Sequence, residues 1–196
     1  MALDLTLCLV PKQIESLFAK AVHNHAYAAW MQFIPSLLVN SDAGNHQEEN
    51  YIAMKNDVAA LKKFYRFTEE HYFYDESRCS STIDYLLKKR TSDINPSIET
   101  SLLWEGGNKF PNISPTQGVP IKLYDKKQIE KISLVLIDLE FSDLISYYDY
   151  DKMRDIGVYK LTRPDNLSML ELAFYKIQDL FLLALAEDLL LFKVID

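Results

Sequence analysis

Four groupings in this chain carry side chains that could do chemistry. His23 and His25 stand two residues apart. On an extended strand that spacing puts both imidazoles on one face, as a transition-metal site requires. The pair falls at a junction between helical patterns, with no Cys or acidic residue beside it. A solvated turn is therefore expected, with no metal and no cofactor. Cys79 and His71 could form a thiol–imidazole pair, and Cys79 sits where a helix start would favour the thiolate. Its serine-rich surroundings, Ser77, Ser80 and Ser81, fit an ordinary cysteine in a capping region. The adjacent acids Glu48-Glu49 and Glu69-Glu70 diverge on a helix surface and are weak general acid/base candidates.

The fourth grouping stands above this background. From Asp138 to Asp155, carboxylates alternate with aromatics: Glu140, Asp143, Asp149 and Asp151 lie among Tyr147, Tyr148 and Tyr150. Carboxylates steer and pair with Lys and Arg, and tyrosine supplies large, rigid contact area. Such a surface suits a basic protein. The plainer reading is a solvated turn region whose aromatics are pinned into the core, and Tyr148 and Met153 follow it. The partner-contacting set expected here is Glu140, Asp143, Tyr147, Asp149, Tyr150 and Asp151. No nucleophile-elbow, P-loop, dinucleotide-binding or zinc-protease pattern occurs, and Gly106-Gly107 is a lone loop pair.

These groupings need a scaffold. Ala2 to Val10 reads as a strand, and Pro11 opens a helix to Val22 with Ile14, Leu17, Phe18 and Ala21 on one face. Asn24 to Val39 is apolar on nearly every side, a buried helical insert or a surface needing a partner, with Pro35 breaking or kinking it. After a loop at Asn40 to Asn45, a long helix is expected from Gln47 to Tyr72. Its seam is Tyr51, Met54, Val58, Leu61, Tyr65, Thr68 and Tyr72. Ser77 to Arg90 reads as another helix, ending in the basic run Lys88-Lys89-Arg90.

The middle, Thr91 to Gly118, is rich in proline and glycine. Val119 to Tyr124 then reads as a strand. Asp125 and Gln128 form a capping box, and Ile129, Ile132, Val135 and Leu139 make the buried stripe of the helix that follows. Ser142 and Asp149 are expected caps of two short turns. Asp165 or Asn166 starts a last helix with Leu170, Phe174, Ile177, Phe181 and Leu185 on one side. Its other faces are also apolar, so it is expected in the centre of the core. Leu189 to Ile195 closes as a strand. Phe174, Ile177, Phe181, Ile129, Ile132 and Leu17 are expected to pack together.

The chain has 196 residues, 48% of them hydrophobic, enough for a core without disulfides or metal. Its two cysteines, Cys8 and Cys79, lack metal-type spacing, and Cys8 reads as a small buried hydrophobe. The formal charge of -7 repels nucleic-acid phosphates and anionic lipid, so neither is an expected partner. No signal peptide is read at the N-terminus, and no apolar run reaches about 18 residues, so the cytoplasm is the expected compartment.

The order of segments resembles the YfbM-like family of small bacterial proteins, which carries a domain-of-unknown-function label. The opening LTLCLVPKQIESLF is similar to the family's strand, proline step and helix. IDYLLKKR resembles its mid-chain helix ending in paired leucines, and QGVPIKLYDKKQIEKI its glycine-bounded strand and helix. Tyr148, Asp149, Met153 and Tyr159 look like its aromatic–Asp pair, methionine and tyrosine. The family's Tyr-Pro pair is Tyr159-Lys160 here, and Asn24 to Tyr74 is longer and more helical than the pattern. The resemblance implies α+β architecture and carries no catalytic residues.

The expectation is thus a single α+β domain over 1–196, with 24–74 a helical insertion. A small sheet including both termini packs against several helices. The expected function is non-enzymatic protein binding, in concrete form an immunity or antitoxin-type inhibitor of a basic toxin or enzyme. The alternative is an enzyme whose pocket is built from Trp104, Asn108 and Tyr124.

Overall fold

The computed structural model of the chain describes residues 4–40, 46–94, 103, 105–109 and 121–195. Its centre is a five-stranded antiparallel sheet built from both ends of that range. β1 (Leu5–Val10) pairs along its whole length with β5 (Leu190–Ile195), from Leu5 opposite Ile195 to Val10 opposite Leu190. β2 (Tyr72–Tyr74) flanks β1, while β3 (Asn108–Lys109) and β4 (Lys122–Tyr124) extend the far side, giving the order β2-β1-β5-β4-β3. The architecture is α+β, as expected. Of the strand expected at Val119 to Tyr124, Val119 and Pro120 lie outside the described residues, and Lys122–Tyr124 forms β4.

Every residue of β1 and β5 is buried, so both faces of these strands are covered. This is why their sequences are almost continuously apolar rather than alternating. One face carries Cys8, Val10, Phe192, Val194 and Leu123. It is covered by α1 (Ile14–His23), α2 (His25–Ala28), a short 3-10 turn, α3 (Ile34–Val39) and α4 (Glu49–Leu61). The other face carries Leu5, Leu7, Leu9, Leu191 and Tyr124. It is covered by α5 (Ser80–Ile94), α6 (Lys126–Leu136), α7 (Phe141–Ile145), α8 (Tyr150–Asp155) and α9 (Leu167–Ala186). Leu17 therefore does not join Phe174, Ile177, Phe181, Ile129 and Ile132. It packs on the opposite face of the sheet.

The apolar segment from Asn24 to Val39 is resolved in favour of burial: Tyr27, Met31, Ile34, Leu37 and Leu38 are all in the core. Pro35 lies in the first turn of α3, where its missing N–H costs nothing, so it separates two helices rather than bending one. The long helix expected to Tyr72 stops at Leu61 instead. Thr68 then caps a 3-10 turn over Glu69–His71, and the aromatic triplet Tyr72–Tyr74 pairs with β1 as an edge strand. Aromatic side chains suit such a half-covered strand better than a helix interior.

Three smaller expectations are corrected. α5 runs past Lys88-Lys89-Arg90 to Ile94, so the basic run is not its last turn. α7 is capped by Glu140, not Ser142, with Asp143 returning the bond to the Glu140 N–H. Leu185 is 38% exposed, and Met169 and Leu172 on the outer side of α9 are exposed too, so that helix is not enclosed on all sides. In α6, Leu136 is buried where Val135 is only half-buried. The Asp125–Gln128 capping box is present, with the Gln128 N–H donating to Asp125 Oδ1 at 2.9 Å.

Candidate functional site

The acidic–aromatic segment folds into α7, a turn and α8. Reciprocal capping fixes its start. The Glu140 N–H donates to Asp143 Oδ2 at 3.1 Å, and Tyr175 on α9 donates its hydroxyl to Glu140 Oε2 at 3.0 Å. Asp149 caps α8, accepting from the Lys152 N–H at 3.0 Å. Asp151 pairs with Arg154 at 3.0 Å one turn on. Glu140, Asp149 and Asp151 are exposed, while Asp143, Tyr147 and Tyr150 are half-buried. Tyr147 and Tyr148 lean on the core, and the Tyr148 hydroxyl donates to the Thr162 carbonyl at 2.6 Å. Burial pushes the Tyr148 phenol up, with Tyr150 and Asp165 adding to the effect. Each of the four carboxylates thus has a local partner. An ionised carboxylate offers about four acceptor positions, so one cap or ion pair leaves the others for a second donor.

The other sequence candidates are not brought together. His23 ends α1 and His25 begins α2, both exposed. Among the described residues no group of three or more His, Cys, Asp or Glu converges as a metal site would require. Cys79 and His71 are each engaged elsewhere. The Cys79 N–H donates to Asp75 Oδ1 at 2.8 Å, and its thiol approaches the Ser77 carbonyl at 3.6 Å. Cys8 is fully buried, which pushes its thiol up and away from the reactive thiolate. Of the pocket expected at Trp104, Asn108 and Tyr124, Trp104 lies outside the described residues. Tyr124 is wholly buried, and Asn108 donates to Asp125 at 2.9 Å at the surface.

His71 has a different role. The Thr68 N–H donates to His71 Nδ1 at 2.9 Å, so that nitrogen is bare and Nε2 carries the proton. Nε2–H meets the Tyr65 hydroxyl, which donates to the Glu187 carboxylate just beyond α9. Burial lowers the His71 pKa, with the charge of Glu70 pulling the other way. This relay ties the turn before β2 to the end of α9.

Sequence reasoning missed a buried polar group. Lys193 on β5 is 0% exposed, and its Nζ lies 2.6 Å from the carbonyls of both Leu103 and Gly106. It also reaches the Tyr124 hydroxyl at 3.3 Å. Burial, reinforced by Lys122, holds its pKa well below the usual lysine range. Lys122 donates to the Glu105 carbonyl at 2.6 Å, and Asp84 accepts from the Leu103 N–H at 2.7 Å. Gly107 permits this approach: its φ is +87°, and a Cβ there would come within 3.0 Å of Lys122 Cβ. The one sequence signal was a lysine inside an apolar strand.

A groove separates β2 from the outer side of α9. Cavities of about 660 Å³ and about 320 Å³ lie along it and share Lys176. No helix among the described residues is long and apolar enough to cross a membrane.

Comparison with known proteins places the chain without assigning a reaction. Residues 81–192, from α5 into β5, match the model of a family described as "Domain of unknown function (DUF1877)". The match covers more than half of the 196 residues, and the chain belongs to this family. Neither the curated proteins nor the solved structures yield a match.

Proposed function

We propose that this protein is a non-enzymatic binding module that engages a basic partner protein through the surface from Glu140 to Asp151. The observation that carries this reading is pre-organisation. Caps at Glu140 and Asp149 hold the carboxylates on two short helices, with spare acceptor positions and two half-exposed tyrosines between them. A surface already ordered loses less entropy on binding. The net charge of -7 adds long-range attraction for a cationic partner. In its concrete form the partner is a basic toxin or enzyme, and the chain is its cytosolic immunity or antitoxin-type inhibitor. The likeness to YfbM-like proteins, and the bacterial source it implies, belong to the same proposal.

Affinity capture from source cells tests this, comparing wild type with Asp138→Lys/Asp151→Lys. Both substituted positions are exposed, and neither side chain caps a helix. The reading expects a basic protein retained by wild type and lost with the variant. An identical set of captured proteins would contradict it.

A further inference from the structure

We infer that the groove between β2 and α9 is a docking site for an extended cationic segment of a partner protein. This rests on the protein-binding reading but names a second surface and the chemistry of what fills it.

The groove follows from the two elements that form it. α9 is buried through Leu170, Ala173, Phe174, Ile177 and Phe181, which fixes which side faces out. That outer side carries Met169, Leu172 and Leu183, of which Leu172 is 61% exposed and Met169 47%. β2 is an edge strand, and its Tyr72 and Tyr74 line the opposite wall. Phe73, Ala173 and Leu180 close the floor. The result is an apolar trough, continuous past Lys176, where an exposed apolar strip would otherwise meet water.

Its rim decides the occupant. Among the described residues, Glu69, Glu70 and Asp179 line one cavity and Glu76 the other, against the one ammonium of Lys176. Four carboxylates over an apolar floor favour a ligand that combines cations with apolar side chains. From Met169 to Ala186 the helix rises roughly 25 Å, the length of about eight extended residues. In such a segment alternate side chains point to opposite sides, so apolar residues can enter the floor while Lys or Arg reach the rims. A second copy of this chain fits poorly. A two-fold contact would set the same net-negative patch, four carboxylates to one lysine among the described residues, against itself.

The test uses the full chain and a fluorescein-labelled octapeptide of alternating Lys and Leu, followed by fluorescence anisotropy at low salt. Wild type is expected to bind saturably. Glu70→Lys/Asp179→Lys and, separately, Leu172→Asp are expected to weaken binding at least tenfold. All three positions are exposed, and thermal melts confirm that each variant is folded. Octalysine should bind at least tenfold more weakly than the alternating peptide, and a Glu–Leu octapeptide not at all. Glu15→Lys, an exposed position on α1 across the sheet from α9, should leave peptide affinity within twofold.

Absence of saturable binding would overturn the inference, as would wild-type affinity in both groove variants or equal affinity for octalysine. Light scattering that shows a dimer dissolved by Leu172→Asp would assign the groove to a second copy and overturn it as well. If only Asp138→Lys/Asp151→Lys abolished peptide binding, the groove would fail while the α7–α8 reading stood.

Discussion

Lys122 and Lys193 are direct cross-strand partners on β4 and β5, and both side chains are buried. Two like charges placed opposite each other in a core are unfavourable unless other groups compensate. The compensation is the carbonyls of Leu103, Glu105 and Gly106, which receive the two amines. Lys193→Met would take the amine from two of these carbonyls and leave Leu103 with the 3.5 Å bond from the Tyr124 hydroxyl. A cost of about 1–3 kcal/mol is expected for acceptors that lose a buried donor. Chemical denaturation checks this, and an unchanged midpoint would show that the carbonyls find other donors.

His71 makes stability depend on pH. Its pKa is lowered in the fold, so the unfolded chain binds a proton more readily. Stability is therefore full above the ordinary histidine value of 6.5 and falls as pH drops through the lower folded value. Protonating Nδ1 also abolishes its acceptance from the Thr68 N–H. His71→Gln keeps an acceptor at this capping position without a titrating group. Melting temperature against pH between about 7.5 and 5 should flatten in that variant relative to wild type. An equal slope in both proteins would remove His71 from the account.

The two cores should act independently. Phe181 is fully buried and meets Tyr124 edge-on, with ring centroids 5.5 Å apart. Phe181→Ala should cost about 3–5 kcal/mol and Leu17→Ala about 2–5. Because the residues lie on opposite faces of the sheet, the double variant should equal the sum within about 0.5 kcal/mol. Strong non-additivity in urea denaturation would indicate that the sheet couples its two faces.

The sequence made local features legible and left their spatial assembly hidden. Strands at both ends stood out as apolar runs, and Asp125 with Gln128 announced its capping box. The spacing of Tyr65, Thr68 and Tyr72 imitated a helix, although Thr68 and His71 cap one another and turn the chain into β2. Periodicity identified Leu17 as inward-facing but could not say which side of the sheet it meets. The role of Lys193 was invisible because its acceptors are carbonyls 87 and 90 residues away in sequence. Within the candidate site, the residue types and the Asp149 cap were readable, and the cap at Glu140 was not. Asp143, expected as a partner contact, accepts from the Glu140 N–H, so reversing its charge would also disturb α7.

The most direct test of partner binding is the association rate with a captured partner, measured by stopped flow across ionic strength. Wild type is predicted to associate fast at low salt and to slow steeply as salt rises, because opposite charges steer encounter. Asp138→Lys/Asp151→Lys should associate at least several-fold more slowly at low salt, with a flatter salt dependence and a nearly unchanged melting temperature. Association of the charge-reversed protein at the wild-type rate and with the wild-type salt dependence would contradict the account.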